Sequence, residues 1–166
     1  MRKFAVLAVM AALIVPSAAF AVTGTIQATA NVLLPLSVST DLRALDFGDV
    51  FPGLNKSIAF ADGTSGKWQI GGEAAKEIQL AFTLPAALDN GGILMPISFA
   101  ATDAAYFGTD AVGSAVAFDP SAGSTENLAA AGTGFVWLGG TVAPAANQPA
   151  GVYAATVSLD VVYTGN

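Results

Sequence analysis

Between Tyr153 and Tyr163 the side chains alternate over eleven residues. Odd positions carry Tyr153, Ala155, Val157, Leu159, Val161 and Tyr163, and even positions carry Ala154, Thr156, Ser158, Asp160 and Val162. Successive side chains of an extended backbone point to opposite faces, so this spacing gathers aromatic and β-branched groups on one face. A period of two predicts a strand over residues 151–164, with one face on a core and the other in water. Such a strand needs a sheet beside it and a second layer over its apolar face.

The same alternation recurs upstream. Ile26, Ala28, Ala30, Val32, Leu34, Leu36 and Val38 share one phase, which predicts a strand over residues 25–33 and a shorter continuation toward Ser39. Pro35 lacks a ladder donor and belongs at a strand end or edge. Further strands are expected over residues 42–50 (Leu45, Phe47), 57–61 (Ile58, Phe60), 67–70 (Trp68, Ile70) and 77–84 (Ile78, Leu80, Phe82, Leu84). Others follow over residues 93–100, where Pro96 marks an edge or irregular start, 114–118, and 134–142, which is apolar on both faces. Asp89-Asn90-Gly91-Gly92 reads as a loop, and the rest of residues 102–133 has no dominant period. No segment after residue 21 sustains a 3.6-residue period for three turns. The expected fold is an all-β sandwich of about nine strands, immunoglobulin-like or pilin-like.

The first 21 residues have a different character. Arg2 and Lys3 precede an apolar run from Phe4 to Val15, then Pro16 and the small-x-small triplet Ala19-Phe20-Ala21. This is the pattern of a secretory signal peptide cleaved after Ala21. The run is too short for a bilayer span, which takes about 20 residues. The expected organisation is a signal peptide over residues 1–21 and one β-sandwich domain over residues 22–166. That domain is expected to be secreted, extracellular or at the cell surface, and periplasmic in transit, with no integral membrane segment after cleavage. Without Arg2 and Lys3, four basic residues face twelve acidic ones, a net charge of −8 that repels nucleic acid and anionic headgroups.

Chemistry is constrained by what the chain lacks. With no His and no Cys, the usual nucleophile–base pairs, disulfides and structural zinc cannot be built. Glu73 with Glu77, and Asp46 with Asp49, are the nearest carboxylate pairs, and both sit at expected turns and strand ends. Asp89-Asn90 and Asp103 with Asp110 offer oxygen ligands without a recognised calcium spacing. Gly71-Gly72, Gly91-Gly92 and Gly139-Gly140 lack the strand-loop-helix setting and the Lys of a phosphate loop. No catalytic, cofactor-binding or metal-ligating residue is assigned, no cofactor is expected, and the chain reads as no enzyme.

Recognition through backbone remains. Residues 22–32 are extended, poor in charge and alternating, so they can complete another subunit's sheet by strand addition, with Ile26, Ala28, Ala30 and Val32 as the inserted face. The alternative is an ordinary first strand within its own domain. The candidate acceptor is the closing strand, through Tyr153, Val157, Leu159, Val161 and Tyr163.

The order of several short motifs resembles a family of small bacterial secreted β-sandwich domains of unknown function. More distantly it is similar to fimbrial subunits and the spore coat protein U group. The motifs are Leu45-Asp46-Phe47-Gly48 with Val50, Pro52 and Gly53; Trp68-Gln69-Ile70-Gly71-Gly72; Leu80-Ala81-Phe82-Thr83-Leu84-Pro85; Trp137-Leu138-Gly139-Gly140-Thr141; and Gln148-Pro149-Ala150-Gly151-Val152-Tyr153 leading into Thr156-Val157 and Val161-Val162-Tyr163. The resemblance implies an immunoglobulin-like sandwich outside the cytoplasm, without enzyme activity. The fimbrial likeness implies a homopolymer joined by donated N-terminal strands, with an export or assembly chaperone as a further candidate partner. The disulfide common in chaperone-assembled pilins is absent, and a full set of nine strands would leave no open groove. The expected function is a structural subunit of a filament or surface layer. The alternative is a secreted monomeric module that binds carbohydrate through exposed aromatics such as Tyr106.

Overall fold

The computed structural model describes residues 22–165, without the side chains of residues 40–42. The signal peptide expected over residues 1–21 lies outside the described residues. The chain divides between Asn31 and Val32 into two units. In the first, residues 22–31 have no regular secondary structure and are exposed throughout. The strand expected over residues 25–33 is therefore not formed. Alternation specifies a face, and a strand also needs a neighbour to accept its ladder bonds.

The second unit is an all-β sandwich. Its described strands are β1 (Ser37–Arg43), β2 (Lys56–Ile58), β3 (Gly66–Gly71), β4 (Glu77–Thr83), β5 (Ala87–Asn90) and β6 (Ile93–Ser98). They continue with β7 (Ala104–Phe107), β8 (Val116–Phe118), β9 (Ser124–Asn127), β10 (Thr133–Leu138), β11 (Gly140–Val142) and β12 (Ser158–Tyr163). All pairings are antiparallel and form three sheets, ordered β1-β3-β10-β7-β8, β2-β11-β6-β5 and β12-β4-β9. The count differs from the nine expected because three short strands, β5, β7 and β9, carry no clear alternation, and the strand expected over residues 134–142 is divided into β10 and β11. The strand expected over residues 42–50 is not formed, only its first two residues belonging to β1. Among the described residues no helix is long and apolar enough to cross a membrane.

Two apolar cores follow from these faces. Trp68 and Ile70 of β3, Tyr106 of β7, and Val136 and Leu138 of β10 pack against Ile78 and Leu80 of β4. Ile58 of β2, Met95 and Ile97 of β6, and Val142 of β11 gather around Phe47 in the second core. Trp137 and Phe135 occupy the other face of β10, stacked with ring centroids 6.1 Å apart. Lys67 Nζ lies over both rings, at 5.3 and 5.8 Å, and is ion-paired with Asp110. The aliphatic stem of the lysine thus covers apolar surface while its ammonium remains paired.

Pro96 lies within β6, an interior strand, rather than at the edge or irregular start expected for it. Pairing with β11 is confined to Ile97 and Ser98, and at Pro96 only the carbonyl is needed, accepting from Ala143 N–H at 3.0 Å. Between Leu138 and Gly140 the chain leaves the first sheet for the second. Gly139 N–H donates to the Asp103 carbonyl at 2.7 Å, and a Cβ there would overlap the Ile58 carbonyl oxygen. The close backbone approach requires glycine.

Tyr106 is buried, and its hydroxyl donates to the Asn127 carbonyl at 2.9 Å. Burial first, and then the nearby Glu126 carboxylate, push its phenol from 10.0 up to about 12. The folded state keeps a proton that the unfolded chain releases near pH 10, so this group's contribution is intact below that pH and is lost as pH rises toward 12. In a phenolate absorbance titration, one of the three tyrosines should ionise only as the fold is lost. Tyr106→Phe should remove that late step; its persistence would contradict the assignment.

Candidate functional site

The closing segment is shorter as a strand than its alternation predicts. Only Ser158–Tyr163 pairs, with Leu159 opposite Phe82, Val161 opposite Leu80 and Tyr163 opposite Ile78. Residues 151–157 continue the same alternation but pair with nothing beyond a single bridge between Ala154 and Asp89, whose two bonds measure 2.9 and 3.0 Å. The physical reason is topological. Among the described residues β12 is an edge strand of a three-stranded sheet, and no strand flanks its outer side.

Residues 151–157, which precede β12, border a groove of about 620 Å³. One rim is formed by residues 43–50, from the last residue of β1 onward, and the other by residues 151–157. Trp68, Leu88, Met95, Ile97 and Val142 lie beneath, so the groove exposes parts of both cores. Leu159, Val161 and Tyr163 are only half-buried, whereas Ile78 and Leu80, their neighbours on β4, are fully buried. Val152 on the second rim is 85% exposed.

The rims also carry unpaired backbone. On the first, Asp46 N–H reaches the Thr64 carbonyl at 3.0 Å, and Gly48 N–H is capped by Asp46 Oδ1 at 2.7 Å. Among the described residues the amides of Leu45 and Phe47 have no acceptor, and neither do those of Ala155, Thr156 and Val157 opposite. Such groups are left to water unless another backbone pairs with them. Arg43, at the rim's end, is held by its Nε and Nη2 on the carbonyl and hydroxyl of Ser65, at 2.6 and 2.8 Å.

The residues singled out from sequence divide between the two units. Ile26 is 96% and Val32 92% exposed, and Ala28 and Ala30 are exposed as well. Tyr153 packs on the second core, while Val157, Leu159, Val161 and Tyr163 pack on the first. Tyr153 and Val157 thus line the groove, whereas Leu159, Val161 and Tyr163 are not among its lining residues. Tyr106 is no exposed stacking platform, because β7 turns it into the core.

The carboxylates considered for catalysis or calcium hold loops and strand ends. Asp89 Oδ1 accepts from Gly92 N–H at 2.8 Å, Asp103 Oδ2 from Ala100 N–H at 2.8 Å, and Glu77 Oε1 from the Thr164 hydroxyl at 2.6 Å. Among the described residues no group of three or more acidic side chains could hold a metal ion. Glu73 has a role that sequence reasoning missed. Its Oε2 accepts from Leu34 N–H at 3.2 Å, while its own N–H donates to the Tyr163 hydroxyl at 2.6 Å. That hydroxyl in turn donates to the Leu34 carbonyl at 2.8 Å. No periodic signal marks such a contact between residues 34, 73 and 163. The first rim was partly signalled by Leu45-Asp46-Phe47-Gly48, whose glycine adopts φ 56°. No family model matches this chain, and no curated protein matches it either.

Proposed function

We propose that this chain is a secreted, non-enzymatic structural subunit of an extracellular filament or surface layer, in which residues 22–32 of one copy are added as a strand to the groove of the next. The observation that carries the reading is a complementary pair of unpaired features. An exposed alternating segment has no sheet, and a groove with two unpaired rims has no strand. Strand addition meets both needs at once: the ladder groups of the rims gain partners, and alternate side chains enter the apolar floor. Burying Ile26 and Val32 contributes about 1.5–3 kcal/mol each, while Ala28 and Ala30 keep the middle of the strand slender. The sandwich on this reading is of the immunoglobulin-like or pilin-like type. A chaperone that fills the groove during export fits the same chemistry, since an open apolar groove is an aggregation hazard.

The test is assembly of the chain beginning at Val22. Purified and left unheated, it should run as a ladder on denaturing gels and collapse to one band on boiling. Deletion of residues 22–32 should abolish the ladder while leaving a folded monomer. A wild-type protein that remains monomeric at high concentration would defeat the proposal.

A further inference from the structure

The tip of the β5–β6 hairpin brings an asparagine, a glycine and the start of the second rim together. Asn90 closes β5 and pairs with Ile93 across the two-residue turn Gly91-Gly92. Of the asparagines in the chain, only Asn90 is followed by glycine. Gly91 and Gly92 are exposed, and a Cβ built on either would meet nothing within 4 Å. Among the described residues the Gly91 N–H has no acceptor, whereas the Gly92 N–H is held by Asp89 Oδ1 at 2.8 Å. The Asn90 side chain lies against the rim: a Cβ at Gly151 would stand 2.1 Å from Asn90 Nδ2 and 3.1 Å from its Cγ. One residue earlier, Asp89 makes the bridge to Ala154 that ties this rim to β5.

Asparagine is among the thermally labile side chains. Its amide carbon is open to attack by the backbone nitrogen of the next residue, and a glycine there has no Cβ to obstruct the approach. At residue 90 the Gly91 nitrogen, having lost its proton to water or hydroxide, bonds to Asn90 Cγ. The Cγ–Nδ2 bond breaks and ammonia leaves, which closes a succinimide ring. Water then opens the ring at Cγ, leaving an aspartyl side chain, or at the backbone carbonyl carbon, leaving an isoaspartyl link that continues the chain through Cγ. Nothing is oxidised or reduced, and the water consumed reaches the exposed tip directly. Pairing of Asn90 with Ile93 holds the backbone extended and slows ring closure relative to a free chain, without removing either reacting atom.

Both products place a carboxylate where the amide lay against Gly151. The isoaspartyl product also lengthens the backbone by one methylene at a turn whose length sets the register of β5 on β6. We propose that Asn90 is a site of spontaneous deamidation, and that the modified hairpin loosens its hold on residues 151–154. Loss of one backbone hydrogen bond shifts a local opening equilibrium about fivefold, so the amides of Asp89 and Ala154 should exchange faster by about that factor. On the strand-donation reading the same change ages the groove, by adding negative charge to one rim and freeing it. The site itself does not depend on that reading.

The chain beginning at Val22 is incubated for days at mildly alkaline pH and body temperature, and its more acidic species is separated by anion exchange. The expected result is a gain of about 1 Da that maps to residue 90, with exchange about fivefold faster at Asp89 and Ala154 in that species. Asn90→Gln, whose longer side chain closes the ring poorly, should show no such gain. No gain at residue 90, a gain confined to other asparagines, or an equal gain in Asn90→Gln would overturn the site. A gain at residue 90 with unchanged exchange at both amides would overturn the loosening of the rim. A wild type that forms no ladder defeats strand donation and leaves both of these results standing.

Discussion

A synthetic peptide of residues 22–33, added to a chain that lacks them, should raise its melting temperature by about 10 °C. The groove of the shortened chain keeps its unpaired rims and its floor of Met95, Ile97 and Val142. A ligand that binds the folded state alone stabilises it by about 2.7 kcal/mol when present at roughly 100 times its Kd. For a domain of this size that corresponds to about 10 °C. Replacing Ile26 with Asp in the peptide should abolish the shift, because an unpaired carboxylate in an apolar groove loses its hydration without gaining a partner. A thermal melt followed by circular dichroism reads both outcomes. No shift with the natural peptide, or equal shifts with both, would count against the groove as an acceptor.

The second large effect separates the two sides of β4. Leu80 is fully buried between β12 and β9, opposite Val161 and Ser124. Leu80→Ala should cost about 2–5 kcal/mol, a large part of the roughly 5–15 kcal/mol that holds a domain together. Leu159 points toward the same core from the edge strand but is only half-buried. Its truncation should cost about half as much in the free monomer, since less apolar surface leaves water there. Where the bound 22–33 peptide extends from the groove along β12, the cost of Leu159→Ala should rise, while that of Leu80→Ala should stay constant. Urea unfolding with and without peptide measures all four values. An unchanged Leu159 cost would mean that the bound peptide does not cover β12.

Much of the fold was legible wherever alternation and a neighbour coincide. Residues 77–84 read as a strand stopped by Pro85, and β4 runs Glu77–Thr83. Trp68 and Ile70 share the buried face of β3, as their spacing implies. Elsewhere one of the two conditions was missing from the sequence. β7 (AAYF) is fully enclosed at Ala104, Ala105 and Tyr106, so both faces are apolar and no period emerges. β9 (STEN) is a polar edge strand. Asp89-Asn90-Gly91-Gly92 reads as a loop, yet Asn90 pairs with Ile93 across a two-residue turn. Gly91 and Gly92 there adopt φ of 59° and 92°, the left-handed pair that such a hairpin needs.

The candidate site was legible in its faces and hidden in its pairing. Residues 25–33 and 151–157 both show strand alternation, and neither forms a strand in a single copy. A sequence displays which side chains share a face. It does not display whether a ladder partner is present. The contact at Leu34 was less legible still, because it joins backbone groups to side chains 39 and 129 residues away.

The bend at Gly139 carries a consequence for how the sandwich comes apart. β10 and β11 are successive pieces of one chain path, the first in the middle of the five-stranded sheet and the second in the four-stranded one. Val136 and Leu138 belong to one core and Val142 to the other, with Gly139 alone joining β10 to β11. Freeing β10 withdraws a central strand from its own sheet and slackens β11 in the neighbouring one. The two cores are therefore expected to melt cooperatively, as one foldon, so that a defect in either is felt by both.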